Sequence, residues 1–206
     1  MLKALLRPVY RPILQAYREM QHSRSFLLRQ MPKGSACAEI GVFKGEFSQQ
    51  ILDQTQPRKL HLIDPWKFQA SPEFATSWYG GDKGHDQHYM DLIYEEVRAR
   101  FQKQILSEVV EIHRKPSVES AADFPANYFD WIYVDGDHRY NAVMEDMLAY
   151  RSKVKPGGYV AGDDYESPGW WEGGVKKAVD ELISLNVYET VLIKKNQFIL
   201  RKPLSS

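Results

Sequence analysis

Two pairs of aspartates each follow a short apolar run, and these carboxylates are the side chains best suited to chemistry. Asp135 and Asp137 follow the first run, and Asp163 and Asp164 follow the second. If the two runs are neighbouring parallel strands, both end at one edge of a sheet, about 4.8 Å apart, and the carboxylates converge. Such a cluster either keeps a proton at a raised pKa or holds a hard divalent cation such as Mg²⁺. The pairs therefore predict a proton-transfer or metal site, with exposed loop acids as the alternative.

A turn with two glycines lies upstream, in the stretch EIGVFKG at residues 39–45. Gly41 and Gly45 allow the backbone to approach a ligand, and the helix expected next offers free amide donors. Asp64 follows about twenty residues later, where an acidic side chain accepts both hydroxyls of an adenosyl ribose. Together they predict a site for an adenosine-containing cofactor. The alternatives are a purely structural turn and a helix N-cap at Asp64.

The elements that position these residues follow from the hydrophobic pattern. From residue 36 onward, short apolar runs alternate with helical periods, which is typical of βα units and a parallel sheet. The expected strands cover residues 36–40, 59–63, 109–113, 131–134, 159–161, 187–193 and 197–201. We therefore predict an α/β, Rossmann-like fold: a mostly parallel seven-stranded sheet with helices on both faces, formed by residues 34–206 as one domain.

Composition excludes several classes of protein. The chain has 206 residues, 43% of them hydrophobic, and no formal net charge, so it has no global attraction for nucleic acid. Cys37 is the single cysteine, which excludes an internal disulfide and fits the reducing cytoplasm, the expected localisation. No run approaches the ~18 apolar residues that span a bilayer, so no integral membrane segment is expected.

Two segments lie outside the regular pattern. Residues 1–33 are basic and amphipathic but interrupted by Pro8 and Pro12; they predict a helical extension that caps the sheet or joins two copies of the chain, with a membrane-surface helix as the alternative. Residues 66–89 form a long insert rich in aromatic residues and glycine. Loops of that length are usually functional, so we expect a lid that contacts a substrate, or else a packing flap or oligomer contact.

These motifs together resemble a known family. The glycine turn, Asp64, the stretch VDGDHRY at 134–140 and the GDDY stretch at 162–165 resemble class I methyltransferases of the bacterial Methyltransferase-24 type, over about residues 36–180. That group is similar to the macrolide and aminocoumarin sugar O-methyltransferases. The resemblance implies S-adenosylmethionine as the cofactor, Mg²⁺ as the metal, and methyl transfer to a hydroxylated small molecule or sugar.

The resemblance also implies residue roles. By motif position, Asp135, Asp163 and Asp164 bind the metal, and Asp137 is the general base that takes the hydroxyl proton. His138 is the alternative base, and metal-free relatives leave the Mg²⁺ requirement open. The expected cofactor-binding residues are Glu39, Gly41, Phe43, Gly45, Asp64, Trp66, Ser117 and Asp135. Among these, Phe43 and Trp66 are expected to face the sulfonium as aromatic rings, and Ser117 the adenine, unless it is a simple turn serine.

Two other functions remain as alternatives. A nicotinamide-dependent oxidoreductase shares the glycine turn and the acid after the second strand, but the glycine triplet is incomplete and no Tyr-x-x-x-Lys pair occurs in a suitable place. A non-catalytic subunit that binds the cofactor would not need the two acid pairs. We therefore expect a methyltransferase whose acceptor is a small molecule, with a saccharide as the closest fit because flat aromatic rings in the insert can stack on a sugar.

Overall fold

The computed structural model describes residues 24–81, 84–167, 169–194 and 196–204. The segment interrupted by Pro8 and Pro12 lies outside these residues. Residues 24–28 are helical, and Leu27 and Leu28 are fully buried. The last part of the expected N-terminal extension is therefore packed into the core.

Within the described residues, seven strands form a single sheet. They are β1 (Ala36–Ile40), β2 (Lys59–Ile63), β3 (Val110–His113), β4 (Phe129–Val134), β5 (Val154–Gly162), β6 (Glu189–Lys194) and β7 (Gln197–Arg201). Their order is β3-β2-β1-β4-β5-β7-β6, with β7 antiparallel to both neighbours and the other pairs parallel. The predicted Rossmann-like sheet is confirmed, and strand order reverses between β1 and β4, where folds of this kind bind ligands.

The predicted starts of β4 and β5, at residues 131 and 159, are too late. Phe129 already pairs with Val154, and the register then shifts so that Trp131 pairs with Tyr159. In the sequence, the proline and the two glycines between Val154 and Tyr159 predict a break in the strand. The backbone instead bulges there and pairs on both sides of the irregularity.

The helices are α1 (Glu46–Thr55), α2 (Gln87–Arg100), α3 (Gln102–Leu106), α4 (Ser117–Ala121), α5 (Tyr140–Arg151) and α6 (Gly174–Ser184), with a 3₁₀ turn at Pro72–Phe74. Helix α2 begins after Asp86, whose carboxylate accepts the backbone N–H of Tyr89 at 2.8 Å. The insert therefore ends at Asp86, and its last three predicted residues belong to the helix. No helix in the described ranges is long and apolar enough to cross a bilayer.

The core has two parts, one on each face of the sheet. Cys37 packs with residues of α1, α2 and the 24–28 segment, whereas Ala38 packs with residues of α5 and α6. Successive side chains of a strand point to opposite faces, and every residue of β1 is buried. Both faces are therefore covered, as predicted.

Adjacent residues of α5 provide a test of this packing. Met147 is fully buried, whereas Leu148 is 48% exposed. We expect Met147→Ala to lower the free energy of unfolding by about 2 to 5 kcal/mol, because it removes buried methylenes and leaves a cavity. Leu148→Ala is the matched control and should change it by less than about 0.5 kcal/mol. Chemical denaturation measures both, and equal losses would contradict the assigned face.

Candidate functional site

The ends of β1, β4 and β5 bring the acid pairs to one edge of the sheet. Ile40 pairs with Val134, and Val134 pairs with Gly162, so the next residues along β4 and β5, Asp135 and Asp163, lie side by side. Asp164 follows in a left-handed backbone conformation, with φ of 59°. Asp137, in contrast, is directed elsewhere by a partner of its own.

Arg24 lies between two of these carboxylates. Its Nη2 is 2.7 Å from Asp135 Oδ2 and 2.6 Å from Asp163 Oδ2, and its Nε is 2.8 Å from the same Asp163 oxygen. The guanidinium also lies 5.0 Å from the centre of the Phe47 ring and 5.9 Å from that of Tyr133. Only 15% of its side chain is exposed. Arg24 is thus a buried cation built into the site.

The pKa values of the two carboxyls reflect this arrangement. Burial raises the pKa of Asp163 to about 6, against the lowering effect of Arg24, and the charges of Asp135 and Asp164 add to the rise. Burial also opposes ionisation of Asp135, but Arg24 and His138 outweigh it and hold the pKa of Asp135 below its usual value. Asp135 is therefore ionised over a wider pH range than Asp163, which takes up a proton first as the pH falls.

His138 lies between the carboxylates of Asp135 and Asp164. Its Nε2 is 3.2 Å from Asp135 Oδ1, and its Nδ1 is 3.1 Å from Asp164 Oδ2. The edge of the Trp171 ring packs against it, with ring centres 4.8 Å apart. Burial alone lowers the pKa of His138, but the hydrogen bond and charges of these aspartates outweigh burial and raise it. With a carboxylate oxygen facing each ring nitrogen, the protonated form of the imidazole is stabilised.

Asp137 is held by its neighbour Arg139. The guanidinium donates to both Asp137 oxygens, with Nη2 2.6 Å from Oδ2, and the Arg139 backbone N–H donates to Oδ1 at 3.0 Å. Arg139 also pairs with Glu73 in the insert at 2.7 Å. Both oxygens of Asp137 are therefore occupied by Arg139. The structure thus brings Asp135, His138, Asp163 and Asp164 together and leaves Asp137 apart.

The expected metal ligands fit a magnesium ion poorly. At this edge of the sheet, the described residues whose ligand atoms lie within 4.8 Å of one another are Asp135, His138 and Asp164, and not the expected set with Asp163. Both oxygens of Asp163 are occupied, one by Arg24 and the other by the Asp164 N–H and the Gln197 amide. Mg²⁺ prefers a shell of oxygens, and here it would meet an imidazole and a resident guanidinium.

Asp64 is completely buried after β2 and accepts hydrogen bonds from three segments. Its Oδ2 accepts the backbone N–H groups of Val42 and Phe43, each at 2.9 Å, and the hydroxyl of Tyr79. Its Oδ1 accepts the Trp66 N–H at 2.7 Å. Burial raises the pKa of Asp64, although these donors work against the rise. Asp64 therefore fixes the glycine turn and joins it to the insert through Tyr79.

Close packing around the turn also requires glycine at positions 41 and 45. Gly41 has φ of +88°, and a Cβ there would lie 2.2 Å from the carbonyl oxygen of Asp135. Gly45 has φ of +70°, and a Cβ there would lie 2.8 Å from the ring of Phe101. The turn can approach β4 this closely only with glycine at position 41.

The two aromatic residues predicted to contact the cofactor, Phe43 and Trp66, differ in their surroundings. Phe43 lies near the insert, its ring centre 5.9 Å from that of Trp78. Trp66, however, has no exposed surface, and its indole N–H donates to the Phe43 carbonyl at 2.8 Å. In this conformation the ring fills the core beneath the turn and has no open face, and its contact with a sulfonium stays a prediction.

Glu39 and Ser117 already have partners in the protein. Glu39 is buried at the end of β1 and accepts the hydroxyl of Ser48, and burial raises its pKa to about 8. Ser117, the first residue of α4, donates to Asp146, whose pKa burial raises to about 6. Contact of either residue with a cofactor stays a prediction.

Comparison with known proteins agrees with this arrangement. Residues 38–165 match the profile of the Methyltransferase-24 family, described as a methyltransferase domain. Uncharacterized protein R132 of Acanthamoeba polyphaga mimivirus is 36% identical over 149 residues, which are 71% of this chain and 58% of that protein. The chain thus spans less than two thirds of this relative.

Solved structures show the same fold at low identity. The O-methyltransferase NovP is 23% identical with a TM-score of 0.58, covering 87% of this chain and 79% of NovP. The O-methyltransferase TomG from Streptomyces achromogenes, solved with SAM and involved in tomaymycin synthesis, is 16% identical with a TM-score of 0.59, covering 87% and 77%.

Arg24 can be tested through stability. We expect Arg24→Leu to cost about 3 to 5 kcal/mol of unfolding free energy at pH 7, because it leaves buried carboxylates without their cation. Without Arg24 the folded-state pKa of Asp163 lies further above its unfolded value, so the folded state binds more protons and the deficit shrinks as pH falls from 7 toward 5. Denaturant titrations across this pH range measure the effect.

Arg29→Leu is the matched control, because Arg29 is exposed on the same segment. It should change stability by no more than about 0.5 kcal/mol and without this pH dependence. Equal and pH-independent losses for the two variants would show that Arg24 acts only through packing.

Proposed function

Because the chain belongs to the Methyltransferase-24 family of S-adenosylmethionine-dependent methyltransferases, we propose that it methylates an oxygen of a small hydroxylated molecule at the edge where β1, β4 and β5 end. The observation that carries this proposal is His138, held between Asp135 and Asp164 at 3.2 and 3.1 Å. S-adenosylmethionine supplies an activated methyl group on a sulfonium. The protein must bind it, align the acceptor and remove the acceptor's proton.

An oxygen acceptor agrees with the presence of a positioned base. A neutral amine attacks with its own lone pair, whereas a hydroxyl is a weak nucleophile until its proton is taken. His138 is the proposed base, and Asp135 and Asp164 stabilise its protonated form. To take the proton, the neutral imidazole must turn one nitrogen from its aspartate to the acceptor hydroxyl. Asp137, the base implied by motif position, is the second candidate, but its pairing with Arg139 argues against it.

We propose that this reaction needs no magnesium ion. Arg24 already supplies positive charge between Asp135 and Asp163. Mg²⁺ bound to those aspartates would have to displace a buried guanidinium that makes three short contacts with them. The metal-assisted route implied by the family resemblance is therefore the alternative, and chelation distinguishes the two.

The proposed cofactor site lies along the glycine turn and Asp64. A ribose diol needs a carboxylate with both oxygens accessible, and Tyr79 now donates to Asp64 Oδ2. Binding of the ribose would therefore replace the Tyr79 hydroxyl and shift the insert. The proposed acceptor site lies under the same insert, where the Trp78 ring is 58% exposed, a flat surface of the kind that stacks on sugars.

Calorimetry with S-adenosylmethionine tests the cofactor site. We expect Asp64→Asn to weaken binding by about 1.5 to 3 kcal/mol, because a charged acceptor is lost. Tyr79→Phe should strengthen binding, because it removes the competing hydroxyl. Asp53→Asn, at an exposed position on α1, is the control and should bind like the unaltered chain. Unchanged affinity in Asp64→Asn would remove Asp64 from the site, and weaker binding in Tyr79→Phe would mean that Tyr79 contacts the cofactor.

Kinetics test the base. Release of S-adenosylhomocysteine from a panel of sugars and phenols identifies an acceptor, and the variants are then compared in EDTA without added metal. His138→Ala should lower kcat by about 10²- to 10⁴-fold, because the proton acceptor is lost, while Asp137→Asn should stay within about threefold of the parent enzyme. The reverse order would make Asp137 the base.

The same assay tests the base through its pH dependence and the metal requirement through chelation. The base must be unprotonated and the pKa of His138 is raised, so kcat/KM should fall as pH drops through that raised pKa and level off above it. Loss of activity in EDTA that Mg²⁺ restores would contradict the metal-free mechanism.

A further inference from the structure

We propose that His61, Glu111 and His113 form a binding site for a transition-metal ion, zinc above all, separate from the site of methyl transfer. His61 in β2 pairs in register with Glu111 in β3, and His113 follows two residues later. Because alternate residues of a strand share a face, all three side chains project from the same face of the sheet. One ligand atom from each lies within 4.8 Å of the others.

The distances approach those of a metal site. His61 Nδ1 and His113 Nε2 are 2.9 Å apart. Glu111 Oε2 is 3.9 Å from His61 Nδ1, and Glu111 Oε1 is 3.7 Å from His113 Nε2. Ligands bound to tetrahedral zinc at 2.0 to 2.1 Å lie about 3.3 to 3.5 Å from one another. The two imidazole nitrogens are closer together than that value, and the Glu111 oxygens, a different one for each histidine, are farther away, so metal binding would separate the rings and draw one carboxylate oxygen inward.

Each outer ring nitrogen faces a side-chain oxygen of a neighbouring residue. His61 Nε2 lies 3.0 Å from the Tyr128 hydroxyl, and His113 Nδ1 faces the Asp123 carboxylate at 4.0 Å. With N–H on these outer nitrogens, the inner nitrogens present lone pairs to each other, and this is the arrangement that outer partners impose on metal-ligating histidines. When no cation is bound, one inner nitrogen carries a proton instead and the two rings share a hydrogen bond at 2.9 Å, which a metal ion would replace.

The surroundings supply the correct charge states and an open side. Burial lowers the pKa of His61 to about 4 and also lowers that of His113, so both imidazoles are neutral at pH 7. Lys59 donates to Glu111 Oε2 at 2.8 Å and lowers the pKa of the Glu111 carboxyl. Glu111 Oε1 remains directed at His113, and 49% of the Glu111 side chain is exposed, so water can reach a fourth position.

The site is distinguished from Asp135, His138 and Asp164 by titrating the full chain with Zn²⁺ in the calorimeter and with Co²⁺ by visible absorption. We expect Glu111→Gln and His113→Gln each to weaken zinc binding by at least about tenfold and to remove the absorption bands of tetrahedral cobalt. Asp123→Asn, which removes the carboxylate that His113 Nδ1 faces, should weaken binding less than either ligand substitution does. Asp164→Asn should retain this zinc site.

Glu111 is on the surface, so Glu111→Gln separates metal binding from folding, and thermal unfolding verifies that each variant is folded. Absence of zinc binding by the full chain, undiminished binding in Glu111→Gln, or loss of the site in Asp164→Asn would each overturn the proposal. Methyl transfer does not enter this readout, so the result is independent of the proposed function.

Discussion

The burial of several carboxylates at one edge of the sheet is the constraint on which the rest of the site depends. A buried ionised carboxylate is costly unless a cation and hydrogen bonds meet it. Arg24 and His138 supply that cation and those hydrogen bonds from opposite directions. Arg24 comes from the helical segment 24–28, which is anchored in the core by Leu27 and Leu28. Residues before the first strand are therefore part of the site, and loosening them would expose unpaired acids.

A second carboxylate, Asp64, organises the neighbouring part of the edge. It ties together the glycine turn through Val42 and Phe43, the chain after β2 through Trp66, and the insert through Tyr79. A ligand that uses this carboxylate must compete with at least one of these groups. The Tyr79 hydroxyl is the most easily exchanged, because a side chain in an insert moves at less cost than backbone in a turn. Cofactor binding and insert position are thereby linked.

The two histidine clusters show how surroundings set the charge of the same side chain. His138 lies between two carboxylates, and their attraction outweighs burial, so its pKa rises. His61 lies against aromatic rings, with Phe124 and Phe129 edge-on at 4.9 and 5.6 Å between ring centres, and burial dominates, so its pKa falls to about 4. The first is equipped to carry a proton, and the second to offer a lone pair.

The sequence by itself determined the fold and the edge of the sheet at which the candidate site residues lie. Alternating apolar runs gave the strands with their order of appearance, and residues such as Asp64, Asp135 and Asp163 directly after those runs had to lie at one edge, because parallel strands end together. The later Methyltransferase-24 match agrees with the resemblance drawn from these same motifs. These signals are local, since each depends on a few consecutive residues.

Only the tertiary structure decided which side chains face each other. Arg24 is 111 residues from Asp135 and 139 residues from Asp163 in the sequence. No local motif distinguishes it from the other basic residues of the N-terminal segment. Asp137 lies outside the cluster because it forms an ion pair with Arg139, two residues away. Trp66 lies in the core because burying the apolar surface of its indole ring is favourable. Ion pairing and burial depend on distances in space that the linear pattern of residues does not encode.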